Sequence, residues 1–223
     1  SLPCGRSGAV RATGAEDGSV MMWDVATRRQ LAPPLVAREP VLSLAFSPDG
    51  TRLAAGGGRD AGTGELFVWD LANPTAPRTP AESQKPHPPV RALAFSTDGT
   101  TLLSASSDGA MVQWDAATLT RKRQWPGQLF KSATFHADGT RMAAGGHSGV
   151  GRRRSVRYTF GLILWDLASG EPRSTAPPDE IEDVRSVAFG PDDALAAGTP
   201  DGRVRLWNVD DAKAQLVAGL LGH

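Results

Sequence analysis

The sequence predicts an all-β fold made of repeated small antiparallel sheets, and three features of its 223 residues predict it. Four segments nearly repeat one another: VLSLAFSPDGTRLAAGG from Val41, VRALAFSTDGTTLLSAS from Val90, FKSATFHADGTRMAAGG from Phe130 and VRSVAFGPDDALAAGT from Val184. Each leads to an apolar stretch that ends in Trp plus an acid or amide, at Asp70, Asp115, Asp166 and Asn208. Within the segments side chains alternate with a period of two, and no helical period competes.

A truncated copy comes first. RATGAEDGSVMMWD ends at Asp24 without a recognisable opening strand. The repeating tryptophans are Trp23, Trp69, Trp114, Trp165 and Trp207, spaced by 46, 45, 51 and 42 residues, which sets the size of the repeating unit. In VRALAF, alternation sends Leu93 and Phe95 to one face and Val90, Ala92 and Ala94 to the other. A strand with one bulky and one small face suits a sheet stacked between similar sheets. Ser47-Pro48-Asp49-Gly50 has type I turn chemistry, repeated at Asp98-Gly99 and Asp138-Gly139. Asp192-Asp193 lacks the glycine and predicts a strained turn. A small-residue strand follows, then a second turn (Asp17-Gly18, Asp108-Gly109, Asp201-Gly202), then the Trp strand. The Pro-rich stretches 72–88 and 168–183 are expected to supply an outer strand and a loop.

These units resemble the WD-repeat family, whose members fold as β-propellers of four-stranded blades around a central channel. The likeness runs from about Arg11 to His223 and implies four full blades plus one partial blade, within a single domain or fragment spanning 1–223. The compact SPDGTRLAAGG-type repeats look like those of bacterial members, and the single cysteine, Cys4, fits a cytoplasmic setting. The resemblance also implies a hydrogen-bond network within a blade, for which the third unit offers His87, Ser104, Asp108 and Trp114. The interval from His87 to Phe95 is one residue shorter than the family's pattern. Thr13, Asp17 and Trp23 match three of its positions, whereas the fifth unit has Ala197 where a hydroxyl is expected. The family opens each repeat with Gly-His, as in Gly222-His223. The open blade ends are therefore expected to be covered by further blades of a longer chain or by another copy.

Composition narrows the chemistry. Lys plus Arg and Asp plus Glu both total 24, so the formal net charge is zero, which argues against a dedicated nucleic-acid binder. No apolar run reaches the length of a membrane span. Cys4 is the single cysteine, which excludes an internal disulfide and a cysteine-based zinc cluster. Gly146-His147-Ser148-Gly149 fails as a nucleophile elbow because Val150 takes the final glycine position. His136 replaces a turn serine and is expected to be exposed. No catalytic residue, metal ligand or cofactor is assigned.

Two loops depart from the repeat. The second unit carries GGGRDAGTGE, containing Arg59, and the fourth carries GGHSGVGRRRSVRYTFG. By the resemblance both emerge on the rim where successive blades are joined. In the second insertion, alternation over Val156, Tyr158, Phe160, Leu162 and Leu164 predicts a hairpin with Arg152, Arg153 and Arg154 at its tip and Arg157 and Tyr158 on its shaft. The candidate partner-binding residues are thus Arg59, Arg152, Arg153, Arg154, Arg157 and Tyr158; the plainer reading is a solvated loop. The expected function is a non-catalytic scaffold or sensor holding protein or peptide partners on the rim. The alternatives are a phosphate- or nucleic-acid-binding module using 152–157, or a regulatory domain of a signalling enzyme. Trp125, beside Arg121, Lys122 and Arg123, is expected to pack on a blade edge.

Overall fold

The computed structural model describes residues 9–60, 62–80, 87–125, 130–136, 140–146, 161–167, 169, 172–175, 183–209 and 214–221. Every named element among them is a β-strand, and all pairings are antiparallel. The chain divides into two compact units, Ser1–Gly127 and Gln128–His223.

Three sheets lie in the first unit. The first comprises β1 (Val10–Gly14), β2 (Ser19–Asp24) and the short β3 (Leu35–Val36), with β1 at its inner edge. This is the truncated copy expected from the sequence. The second holds β4 (Val41–Phe46), β5 (Arg52–Gly57) and β6 (Glu65–Asp70). Its outer strand contracts to one bridge, Val68 to Arg78. Pro74, Pro77 and Pro80 surround that bridge, and a residue without an N–H cannot extend a ladder. The third sheet is four-stranded: β7 (Val90–Phe95), β8 (Thr101–Ser106), β9 (Met111–Asp115) and β10 (Arg121–Trp125). Trp125 is buried, with the Arg123 guanidinium 5.2 Å from its ring centre.

The second unit holds two four-stranded sheets. One is β11 (Phe130–Phe135), β12 (Arg141–Gly146), β13 (Leu162–Asp166) and β14 (Pro172–Thr175). The other is β15 (Ser186–Phe189), β16 (Ala194–Gly198), β17 (Arg203–Val209) and β18 (Ala214–Leu221).

Within each unit neighbouring sheets stack bulky face on small face. Leu44, Leu53, Phe67 and Trp69 of the second sheet pack on Ala12, Val20 and Met22 of the first. Val90, Leu93, Phe95, Leu102 and Trp114 of the third pack on Ala45, Ala54, Leu66 and Val68 of the second. Val184, Val187, Leu195 and Trp207 pack on Ala143, Leu162 and Leu164. Val90 corrects simple alternation, which places it with Ala92 and Ala94. The β7–β8 register shifts between Val90 and Ala92, and this irregularity turns Val90 onto the face of Leu93 and Phe95. The same shift follows Val41 and Phe130.

Three valines require glycine opposite them. A β-carbon at Gly14, Gly56 or Gly145 would lie 2.4, 2.5 or 2.2 Å from Cγ1 of Val41, Val90 or Val184. Each glycine occupies the same place in its sheet, one sheet before its valine.

The turns explain the recurring S-x-D-G-T. Ser47 Oγ donates to Asp49 Oδ1 at 2.6 Å while the Thr51 N–H and hydroxyl donate to the same carboxylate; Ser96, Asp98 and Thr100 repeat this. Gly50 and Gly99 close these turns at φ of 68° and 70°. At Asp192-Asp193, where glycine is missing, two β-carbon-bearing residues adopt φ of 54° and 59°, the strain anticipated from the sequence. Donation by Ser47 and Thr51 lowers the Asp49 pKa from its ordinary 3.8 to about 2. A carboxyl with a lowered folded-state pKa contributes stability that is complete above the unfolded value and lost as pH falls through the folded one. Asp49→Asn is therefore expected to flatten the loss of stability between pH 3.8 and about 2, measured by urea unfolding across that range. An unchanged acid limb would show that these bonds do not bias the titration.

Candidate binding rim and its supports

The glycine-rich loop between β5 and β6 is held by backbone bonds to the segments on either side of it. Gly58 N–H donates to Pro40 O at 3.0 Å, on the link into β4. Gly64 N–H donates to His87 O at 2.8 Å, on the approach to β7. Glycine is required for this closeness, since a β-carbon at Gly57 would lie 1.9 Å from Pro40 O and one at Gly64 2.1 Å from Pro88 O. Inside the loop, Thr63 Oγ1 accepts from the N–H groups of Arg59 and Asp60 at 2.9 and 3.0 Å. The loop is thus pinned to links that join successive sheets, and it lies on their rim.

Arg59 stands on this loop with its side chain 58% exposed, 3.8 Å from Glu16 and 3.9 Å from Glu39. Exposed pairs at that separation contribute little stability, so the guanidinium can exchange these acids for a partner's. Glu65, at the start of β6, accepts the N–H groups of Arg38 and Glu39 at 3.1 and 3.2 Å. Burial raises the Glu65 pKa, partly offset by those donors. Glu16 and Glu39 were not distinguished in the sequence, because their proximity to Arg59 arises only from stacking of the first two sheets. Arg152, Arg153, Arg154, Arg157 and Tyr158, with the whole 147–160 insertion, lie outside the described residues.

In the third sheet, Trp114 Nε1 donates to Ser104 Oγ at 2.8 Å, and both are buried. Asp108 accepts from Ala110 N–H at 3.0 Å. His87 Nδ1 lies 3.0 Å from its neighbour Pro88 O, while its buried Nε2 has no hydrogen-bond partner among the described residues. The four side chains line a common recess of about 170 Å³, with Ser106, Arg121 and Gln124. Geometry therefore links Trp114 to Ser104 directly and places the His87 ring against Pro88 O instead of Ser104. Trp23 Nε1 makes the matching bond to Thr13 Oγ1 at 3.1 Å.

The fifth sheet shows the cost of the missing hydroxyl. Trp207 is 1% exposed and its Nε1 has no partner among the described residues, because Ala197 stands where Thr13 and Ser104 stand elsewhere. Ala197→Ser is expected to raise stability by about 1 kcal/mol by satisfying that donor. Urea unfolding checks it, and Ala197→Val controls for added bulk.

Two arginines missed in the sequence join sheets. Arg52 Nη1 donates to Ala116 O and Nη2 to Gly99 O, both at 2.8 Å, while the guanidinium lies 5.5 Å from the Phe95 ring centre. Arg141 is buried, donates to Val209 O at 2.8 Å and also to Asp193. Ser43 Oγ accepts the Leu93 N–H at 3.0 Å, and Ser132 Oγ accepts the Val187 N–H at 3.1 Å. The signal was present: both arginines follow an identical D-G-T. His136 corrects the expectation of exposure. It is buried edge-on to Phe189, with ring centres 4.9 Å apart, and its Nε2 is 3.1 Å from Asp193. Stacking of the next sheet covers it.

The carboxylates after each Trp also have structural duties. Asp24, Asp70, Asp115 and Asp166 accept backbone N–H groups two or three residues on. No group of three or more candidate metal ligands occurs among the described residues.

A family model, "WD domain, G-beta repeat", matches residues 35–70, 78–115 and 177–208. Mouse transducin-like enhancer protein 2 is 32% identical over 200 residues, covering 86% of this chain and 24% of that protein. Cilia- and flagella-associated protein 52 of Chlamydomonas reinhardtii is 28% identical over 153 residues, covering 67% of this chain and 23% of that protein. The chain thus spans about a quarter of the length of these relatives. A chain in the crystal structure of the mitotic checkpoint complex superposes with a TM-score of 0.76 at 18% identity, covering 100% of this chain and 64% of that one. Its stacked sheets, their Trp-acid strand ends and these matches together place the chain in the WD-repeat family, with the β-propeller fold.

Proposed function

We propose that the chain is a non-catalytic interaction scaffold that holds protein or peptide partners on the rim around Arg59. One observation carries this reading: the β5–β6 loop is fixed through Gly58 and Gly64 while the Arg59 side chain remains exposed. A loop already ordered loses little entropy when a partner docks, so few contacts suffice for binding. The WD-repeat matches support it, as does the fold neighbour's place in a protein complex. The reading treats 1–223 as one repeat-built domain or fragment, in a cytoplasmic setting. Among the described residues no helix is long and apolar enough to cross a membrane. Arg152, Arg153, Arg154, Arg157 and Tyr158 are proposed as further partner-binding residues. Zero net charge favours protein partners over nucleic acid.

The test is selection of peptides from a displayed library on the full chain, followed by affinity measurement. Arg59→Ala is expected to weaken acidic peptides at least ~5-fold, and R152A/R153A/R154A to weaken them further. Failure to enrich any peptide, or unchanged affinity in both variants, overturns the proposal.

A further inference from the structure

β10 ends the third sheet, paired with β9 on one side and with no other strand among the described residues. The register fixes what its open side presents. Asp115 N–H donates to Thr120 O, so Asp115, Gln113 and Met111 bond toward β10 while Val112 bonds toward β8. Gln124 stands opposite Val112, and its N–H and carbonyl therefore turn away from β9 to the open edge. The same edge is basic. Arg121 and Lys122 are exposed, and Arg123 is half-buried over the buried Trp125. Arg78 joins them, its guanidinium donating to Ala117 O on the turn into β10. The neighbouring carboxylate, Asp115, is already engaged by the N–H groups of Ala117 and Thr118 and by Lys122 at 3.1 Å. Other outer strands lack this combination: β3 has two residues, β14 opens on Pro172 and β18 carries no charged residue.

We infer that β10 is a docking edge for an acidic extended segment of a partner protein, which adds to the third sheet as a fifth strand. Backbone bonds at Gln124 hold the segment, while Arg78, Arg121 and Lys122 select its carboxylates. Trp125 anchors the end of the strand in the core, so the edge is in place before the partner arrives. Charge decides against a second copy of this chain, because two β10 strands side by side would set cation against cation. A nucleic acid matches the cations but has no ladder of N–H and C=O groups to pair with the edge. The site lies on the outer edge of the third sheet, apart from the loop that carries Arg59, and is independent of the rim proposal.

The test measures binding of fluorescein-labelled Ac-EVEVEVE-NH2 to the full chain by anisotropy, and amide exchange at Gln124 with and without that peptide. Saturating peptide is expected to slow Gln124 exchange at least ~10-fold. The same peptide N-methylated at every residue keeps its carboxylates but cannot donate, and is expected to bind at least ~10-fold more weakly. Gln124→Pro removes the outward N–H at an edge position that tolerates proline, and is expected to weaken binding at least ~5-fold. R121E/K122E, at two exposed positions, should also weaken it at least ~5-fold. Arg59→Ala should leave Gln124 protection unchanged, which separates this site from the rim. Unchanged exchange at Gln124, equal binding of the N-methylated peptide, or protection lost in Arg59→Ala overturns the inference. Self-association of the unliganded chain that Gln124→Pro abolishes also overturns it, by assigning the edge to a second copy. Tighter binding of single-stranded oligo-dT at the same positions overturns it by assigning the cations to nucleic acid.

Discussion

Gly56→Val is expected to destabilise the first unit by about 3 kcal/mol, near the upper end of ordinary overpacking costs. The added β-carbon would lie 2.5 Å from Val90 Cγ1 and 2.9 Å from Val90 Cβ. Val90 cannot move away, since it is 2% exposed and anchored by the register shift that precedes Ala92. A β-branched residue also has few rotamers with which to avoid the contact. Val90→Ala alone should cost about 1–2 kcal/mol through the lost methyls and the void. Combined with Gly56→Val it should recover part of the loss, because the new side chain then occupies the vacated space. The cycle is read by urea unfolding of the four proteins. Strict additivity would mean that the notch does not couple the sheets.

Arg52→Met should be comparably severe, at about 3 kcal/mol. Methionine keeps most of the aliphatic stem but removes two charge-assisted donors, leaving Gly99 O and Ala116 O without them. The contact with the Phe95 ring is lost as well. Arg52→Lys should recover less than half, since one ammonium cannot hold both carbonyls with the planar fork of a guanidinium. A loss below ~0.5 kcal/mol in urea unfolding would show that water replaces the arginine freely.

Much of the fold was legible because its determinants are local. Asp49, Asp98 and the acids after each Trp organise turns within three residues, so their recurrence marks strand ends directly. The strain at Asp192 and Asp193 followed from a missing glycine, and the lack of a partner for Trp207 Nε1 among the described residues from Ala197. Features created by stacking were not legible. Val90 changes face through one extra residue in the ladder, which strict alternation cannot anticipate. His136 looked exposed because its cover comes from Phe189, far along the chain. Arg59 was marked by its loop, yet its acidic neighbours Glu16 and Glu39 come from other turns. Arg52 and Arg141 stood at one repeat position in plain view. Their carbonyl partners, 47 to 68 residues away, could be identified only from the packed sheets.

The proposed scaffold role requires a rim already fixed before binding. Native-state amide exchange at Gly58 and Gly64 in the unliganded chain tests it most directly, since these N–H groups hold the Arg59 loop to Pro40 and His87. Both are expected to exchange at least ~100-fold slower than in an unstructured peptide, tracking the opening of the sheets themselves. Exchange at unstructured-peptide rates would contradict the claim, leaving a loop that must be ordered by whatever binds it.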